Sequence, residues 1–89
     1  MMDNTGDEVF DFPCIFPLKV MGPQADDFEA FVVSVVQQHA PNTAYNTSSR
    51  TSSNGKYLSI TITFVAESRE QLDGIYKELS GNRRVLMAL

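Results

Sequence analysis

The chain has 89 residues, enough for one compact domain and too few for two ordinary ones. An apolar fraction of 43% excludes a wholly disordered chain, and a formal net charge of −4 argues against a general nucleic-acid binder, which needs a positive surface to displace counterions. Cys14 is the only cysteine, so there is no intramolecular disulfide framework and no thiolate cluster for a metal.

Residues 1–11 carry Asp3, Asp7, Glu8 and Asp11 around the apolar pair Val9 and Phe10. This composition predicts a flexible acidic N-terminal segment ahead of one domain over 12–89, with Phe10 as its one docking side chain. No stretch is long and apolar enough to span a bilayer, and no basic region followed by an apolar core opens the chain, so the expected location is the cytoplasm.

The first strand is expected over 16–21, where Phe16, Leu18 and Val20 alternate with Pro17, Lys19 and Met21. Pro13 and Pro17 lack amide donors, which places the start of this strand outside a continuous ladder or at its edge. After the Gly22-Pro23 turn, Phe28, Phe31, Val32, Val35 and Val36 recur at helical spacing and predict a helix over 25–39. Asp26, Asp27 and Glu29 stand where carboxylates oppose the positive end of the helix dipole, and Pro41 stops the helix after His39.

A hairpin follows. Residues 43–53 are rich in Ser and Thr, and Asn54-Gly55 signals a tight turn. Over 56–65, Leu58, Ile60, Ile62 and Phe64 alternate with Tyr57, Ser59, Thr61 and Thr63, the pattern of a half-buried antiparallel strand. A second helix is predicted over 69–79, with Ser68 as cap, Gln71 in the capping-box position, Leu72, Ile75, Tyr76 and Leu79 inside, and Gly81 closing it. The apolar run at 84–89 predicts a last strand whose buried face periodicity alone does not choose.

The order β-α-β-β-α-β predicts an α+β, ferredoxin-like sandwich: a four-stranded antiparallel sheet with two helices on one face. Its expected core is Phe16, Leu18, Val20, Phe28, Val32, Val35, Leu58, Ile60, Ile62, Phe64, Leu72, Ile75 and Leu79. On the opposite sheet face Met21, Tyr45, Tyr57 and Leu86 are expected to meet, as a docking surface or dimer interface.

Phe12-Pro13, Phe16, Lys19-Val20-Met21-Gly22, His39-Ala40-Pro41, Ser52-Ser53-Asn54-Gly55-Lys56-Tyr57, Ser59 with Thr61, Tyr76 with Leu79, and Val85 with Met87 and Leu89 together resemble the YbeD-like family of small bacterial proteins. The resemblance implies a ferredoxin-like fold similar to the ACT regulatory domains of amino-acid metabolic enzymes, with no established activity and no cofactor.

The Ser52, Ser53, Asn54, Gly55, Lys56 and Tyr57 segment is the leading site for a ligand or partner, because amides around a glycine turn, serine hydroxyls and a lysine suit a carboxylate or phosphate. The competing reading is a turn kept for folding. His39 stands at a helix end without companion metal ligands, and Cys14 has no base beside it in sequence; both read as structural. Arg83 and Arg84 read as solvated charges at a sheet edge. With no catalytic residue and no metal site assigned, the expectation is a non-catalytic regulatory or protein-interaction module. Its partners would be a metabolic enzyme, a small metabolite or a second copy of the chain. The alternative is an RNA-binding protein using the open sheet face, which the acidic charge and the shortage of aromatic residues oppose. A small hydrolase resembling acylphosphatases is disfavoured, since no arginine follows the first strand to meet a developing anion.

Overall fold

Strand alternation and two amphipathic helical stripes organise the computed structural model, which describes residues 11–89. In chain order they form β1 (Cys14–Pro23), α1 (Phe28–His39), β2 (Tyr45–Thr51), β3 (Tyr57–Ala66), α2 (Arg69–Ser80) and β4 (Met87–Ala88). The acidic segment expected at the N-terminus, with Phe10, lies outside the described residues apart from Asp11.

The sheet runs β2-β3-β1-β4 with every neighbouring pair antiparallel, and the two helices cover one face. This is the ferredoxin-like arrangement that the element order predicts. Leu18 faces Ile62, Val20 faces Ile60 and Phe16 faces Phe64 across the central pair. These rows meet Phe28, Val32, Val35 and Val36 of α1 and Leu72, Ile75 and Leu79 of α2 in one core. Phe16 is only half-buried, because it lies where β1 meets the outer side of α2; its ring stands edge-on to Tyr76 at 6.5 Å. Val36, Ala40 and Ala66 join the core beyond the expected set.

β1 is longer than expected and pairs with β3 along its whole length, Pro17 included. The ladder tolerates Pro17 because Lys19 and Met21 direct their backbone groups toward the β4 side. By alternation the missing amide of Pro17 faces that same side, where the described residues place no strand opposite it.

α1 starts three residues later than its apolar spacing indicates. Asp27 is the N-cap, but its side chain makes no capping bond. Its carboxylate is drawn instead to Arg84, whose guanidinium donates to both oxygens at 2.7 and 3.3 Å. Arg84 also lies 5.5 Å from the centroids of both Phe28 and Phe31. It is therefore not a solvated edge charge, and this correction explains a second one. The clamp and a turn at Asn82, whose side chain accepts from the Arg84 amide at 2.8 Å, hold residues 82–85 out of extended geometry. The last strand is accordingly just Met87–Ala88, prolonged by one backbone bond at Leu86 and two at Leu89. Gly22 faces this crossing: a Cβ there would collide with the Arg84 carbonyl and come within 2.7 Å of the Phe28 ring.

α2 begins as its sequence indicates. The Ser68 hydroxyl accepts from the Gln71 amide at 3.0 Å, while the Gln71 side chain accepts from the Glu67 amide at 2.8 Å and donates to the His39 carbonyl at 3.0 Å. One capping residue thus also ties α2 to the end of α1. Gly81 ends α2 in a right-handed conformation, φ −79°, so its freedom to go left-handed is unused.

Candidate functional site

The side of the sheet away from the helices carries the alternate residues of each strand. Register places Lys19 opposite Thr61 and Thr61 opposite Ser48; the next row is Met21, Ser59 and Arg50. β4 adds Met87 beside Met21, and Leu89 exchanges two backbone bonds with Lys19 at 2.8 and 3.1 Å. The cations Lys19 and Arg50 therefore stand on a diagonal with the Ser59 and Thr61 hydroxyls between them. They line a concavity of about 430 Å³ together with Ser48 and Ser49. Two neighbouring depressions of about 210 Å³ each extend it, one over Met87 and Leu89, the other over Tyr57 and Ser52.

Charge is segregated between the two layers. None of the four strands contains an acidic residue, and every Asp and Glu from Asp11 onward lies in a helix or a connecting segment. Among the described residues the side chains of Lys19 and Arg50 have no hydrogen-bond or ion-pair partner, and neither do the Ser48, Ser59 and Thr61 hydroxyls. On the helix side, by contrast, several charged groups have partners. His39 Nε2 lies 2.9 Å from Glu78, Glu29 accepts from the Thr47 hydroxyl at 3.0 Å, and Arg84 holds Asp27. The hydrogen bond and charge of Arg84 keep the Asp27 carboxyl below the ordinary carboxylate range. Burial against the end of β1 pushes the Tyr76 phenol up.

The Ser52–Tyr57 segment is a self-satisfied turn. Gly55, with φ 76°, donates its amide to the Ser52 carbonyl at 2.9 Å. The Asn54 side chain accepts from the Ser52 hydroxyl at 2.7 Å and from the Lys56 amide at 3.0 Å, and the Ser52 hydroxyl accepts from the Tyr57 amide at 3.1 Å. Those amides are committed within the turn and do not form an open cradle. Ser52 and Tyr57 reach the open sheet face beside Met21 and Arg50. Ser53, Asn54, Gly55 and Lys56 lie between the ends of β2 and β3.

Of the residues expected to meet on that face, Met21 and Tyr57 do so. Tyr45 does not. It pairs with Phe64, which puts it on the helix side, and its hydroxyl accepts from Gln37 at 3.1 Å. Leu86 is exposed and bonds to Met21 through its backbone rather than lining the concavities. Lys19, Arg50, Ser59 and Thr61 form a group that no local motif marks. The signal was the absence of acids from strand segments, combined with the polar half of the β3 alternation. Cys14 is half-buried against the core, and it shares no hydrogen bond with His39 among the described residues. No group of potential metal ligands gathers among the described residues, and no helix there is long and apolar enough to cross a membrane.

The fold has solved counterparts. Protein HP0495 from H. pylori, known from its solution structure, superposes with a TM-score of 0.70 over 90% of this chain and 85% of that one, at 16% identity. A second solution structure of HP0495 from Helicobacter pylori gives 0.56 over 88% and 87%. In sequence, a UPF0250 protein of Chromobacterium violaceum is 44% identical over 99% of this chain and all of its own length. A UPF0250 protein of Shewanella baltica is 46% identical over 97% of this chain and all of its own. The family model described as "Protein of unknown function (DUF493)" matches residues 7–89. These matches overturn the YbeD-like assignment drawn from the sequence: the chain belongs to the UPF0250/DUF493 family.

Proposed function

We propose that the chain is a non-catalytic regulatory or interaction module that engages a partner protein, such as a metabolic enzyme, through its open sheet face. The observation that carries this reading is the charge segregation: an acidic protein whose sheet face away from the helices bears Lys19 and Arg50, with no carboxylate on any strand among the described residues. Next to the cations lie Met21, Tyr57, Met87 and Leu89, all large and exposed. Apolar Met, Leu and Tyr side chains flanking a cationic, hydroxyl-lined concavity combine the apolar area and the charge that a protein interface uses. The Ser52 and Tyr57 end of the hairpin forms the border of that surface and is included in it. Base recognition on a sheet face calls for stacked aromatic side chains. Tyr57 is the single aromatic residue at this surface among the described residues, which favours protein over RNA.

The test is capture from native-host lysate by the full chain, in parallel with a Lys19→Glu/Arg50→Glu variant and a Lys56→Ala/Tyr57→Ala variant. One protein recovered in stoichiometric amount and lost with the first variant supports the reading. Equal recovery by all three places the binding surface elsewhere. Nuclease-sensitive RNA, in place of protein, would transfer the face to the alternative function.

A further inference from the structure

Resting on that reading, we propose that the segment received by the open face is acidic and extended, with carboxylates meeting Lys19 and Arg50 and an apolar side chain seated on Met21 and Met87.

The geometry of the sheet carries the first half. Lys19 and Arg50 are separated by two inter-strand spacings and one pleat repeat, which sets their Cα atoms about 12 Å apart. In an extended segment, side chains on one face recur about every 7 Å, so two carboxylates four residues apart span about 13 Å. That matches the diagonal, and it leaves the Ser59 and Thr61 hydroxyls beneath the intervening stretch. Both hydroxyls are without partners among the described residues and are free to donate to carboxylate or backbone oxygens.

Magnitudes carry the second half. Exposed ion pairs are worth about 0.2–1 kcal/mol each, too little for two cations to hold a small solvated anion firmly. Useful affinity therefore requires apolar area as well. Met21 and Met87 are adjacent by register, and Leu89 continues the strip beside Lys19. Specificity comes from the charge: the helices carry Glu29, Glu70, Asp73 and Glu78 against Arg69 and Lys77, a net negative balance that favours an acidic segment less than the cationic open face does.

The experiment uses the full chain, isotope-labelled for NMR, titrated with three probes. These are a short blocked peptide with Glu at two positions four residues apart and Leu at the remaining positions of that same face, the same peptide with Gln in place of the acids, and inorganic phosphate. The acidic peptide is expected to shift the amides of Lys19, Arg50, Ser59, Thr61, Met21 and Met87, and to bind about ten-fold more tightly than its neutral counterpart. Its affinity is expected to fall with added salt. A Lys19→Glu/Arg50→Glu variant with an unchanged thermal transition should lose that advantage and instead prefer a peptide carrying Lys at the acidic positions. Equal binding of acidic and neutral peptides, shifts confined to the helix side, or saturation by phosphate as strong as by the peptide would each overturn the proposal. Should the peptides fail while lysate capture still depends on Lys19 and Arg50, the interaction module stands and the extended acidic segment does not.

Discussion

The two faces of one sheet differ more than any two elements of the fold. The same strands supply both, through the same alternation, yet along β1 and β3 one face is apolar and covered by helices, while the other mixes hydroxyls with exposed apolar side chains, is cationic where charged, and has no element packed on it among the described residues. On the covered face Ile60, Ile62 and Phe64 are almost fully buried, in the core that residues of both helices share. On the open face Ser59, Thr61 and Thr63 occupy the intervening positions of the same strand and hold nothing up. Position along β3 therefore says little about a residue's importance for folding, whereas odd or even numbering says a great deal.

That contrast can be broken most severely at Phe64. Phe64→Ala should lower unfolding stability by about 3–5 kcal/mol in a denaturant titration, while Thr61→Ala on the reverse side stays within about 0.5 kcal/mol. A large effect at Thr61 would mean that the open face is already covered in solution. Gly22→Ala comes next. The added methyl must displace the Arg84 carbonyl or the Phe28 ring, and a cost of about 1–3 kcal/mol is expected from thermal or chemical unfolding. Ser68→Ala removes the cap of α2 and should cost about 1 kcal/mol by the same measurement.

The smallest effect sharpens the electrostatic side of the comparison. Because Arg84 holds the Asp27 carboxyl below its ordinary value, the pair stabilises the fold above the usual carboxylate range. The contribution disappears as pH falls through the depressed folded-state value. A pH series of melting curves should show wild type slightly above Asp27→Asn near neutrality and the two converging in acid. Asp27 is exposed, so the gap is modest. A gap that widened in acid would contradict the assignment.

Much of the fold was legible because apolar side chains declare their own phase. The run of Leu58, Ile60, Ile62 and Phe64 fixes both the strand and its buried side, and Leu72, Ile75 and Leu79 do the same for α2. β2 carries no such signal. Its Ser and Thr residues suit either face, so Tyr45 could be placed only once its pairing with Phe64 was known. The extent of the last strand is illegible for the opposite reason. A run that is apolar throughout indicates no start, and the start is set at long range by Arg84 reaching Asp27 and two phenylalanine rings. The site was less legible than the fold. The turn at Asn54-Gly55 is conspicuous in sequence; within it the Asn54 side chain and the Ser52 hydroxyl bond to each other and to the Lys56 and Tyr57 amides. The cations of the open face are far apart in the chain and meet only through register.

The central position of β1 carries a consequence for how the chain reaches its shape. β2 and β3 are joined by the Gly55 turn and can zip together locally, whereas β1 must wait for β3, which is separated from it by a helix and a whole strand. Closing that long loop is the entropically expensive event, and proteins dominated by such remote pairings fold more slowly than those built from local ones. Insertion of β1 between the β2–β3 hairpin and the C-terminal segment is thus the expected slow step, and until it happens both the β3 edge and the apolar undersides of α1 and α2 are left open to other chains.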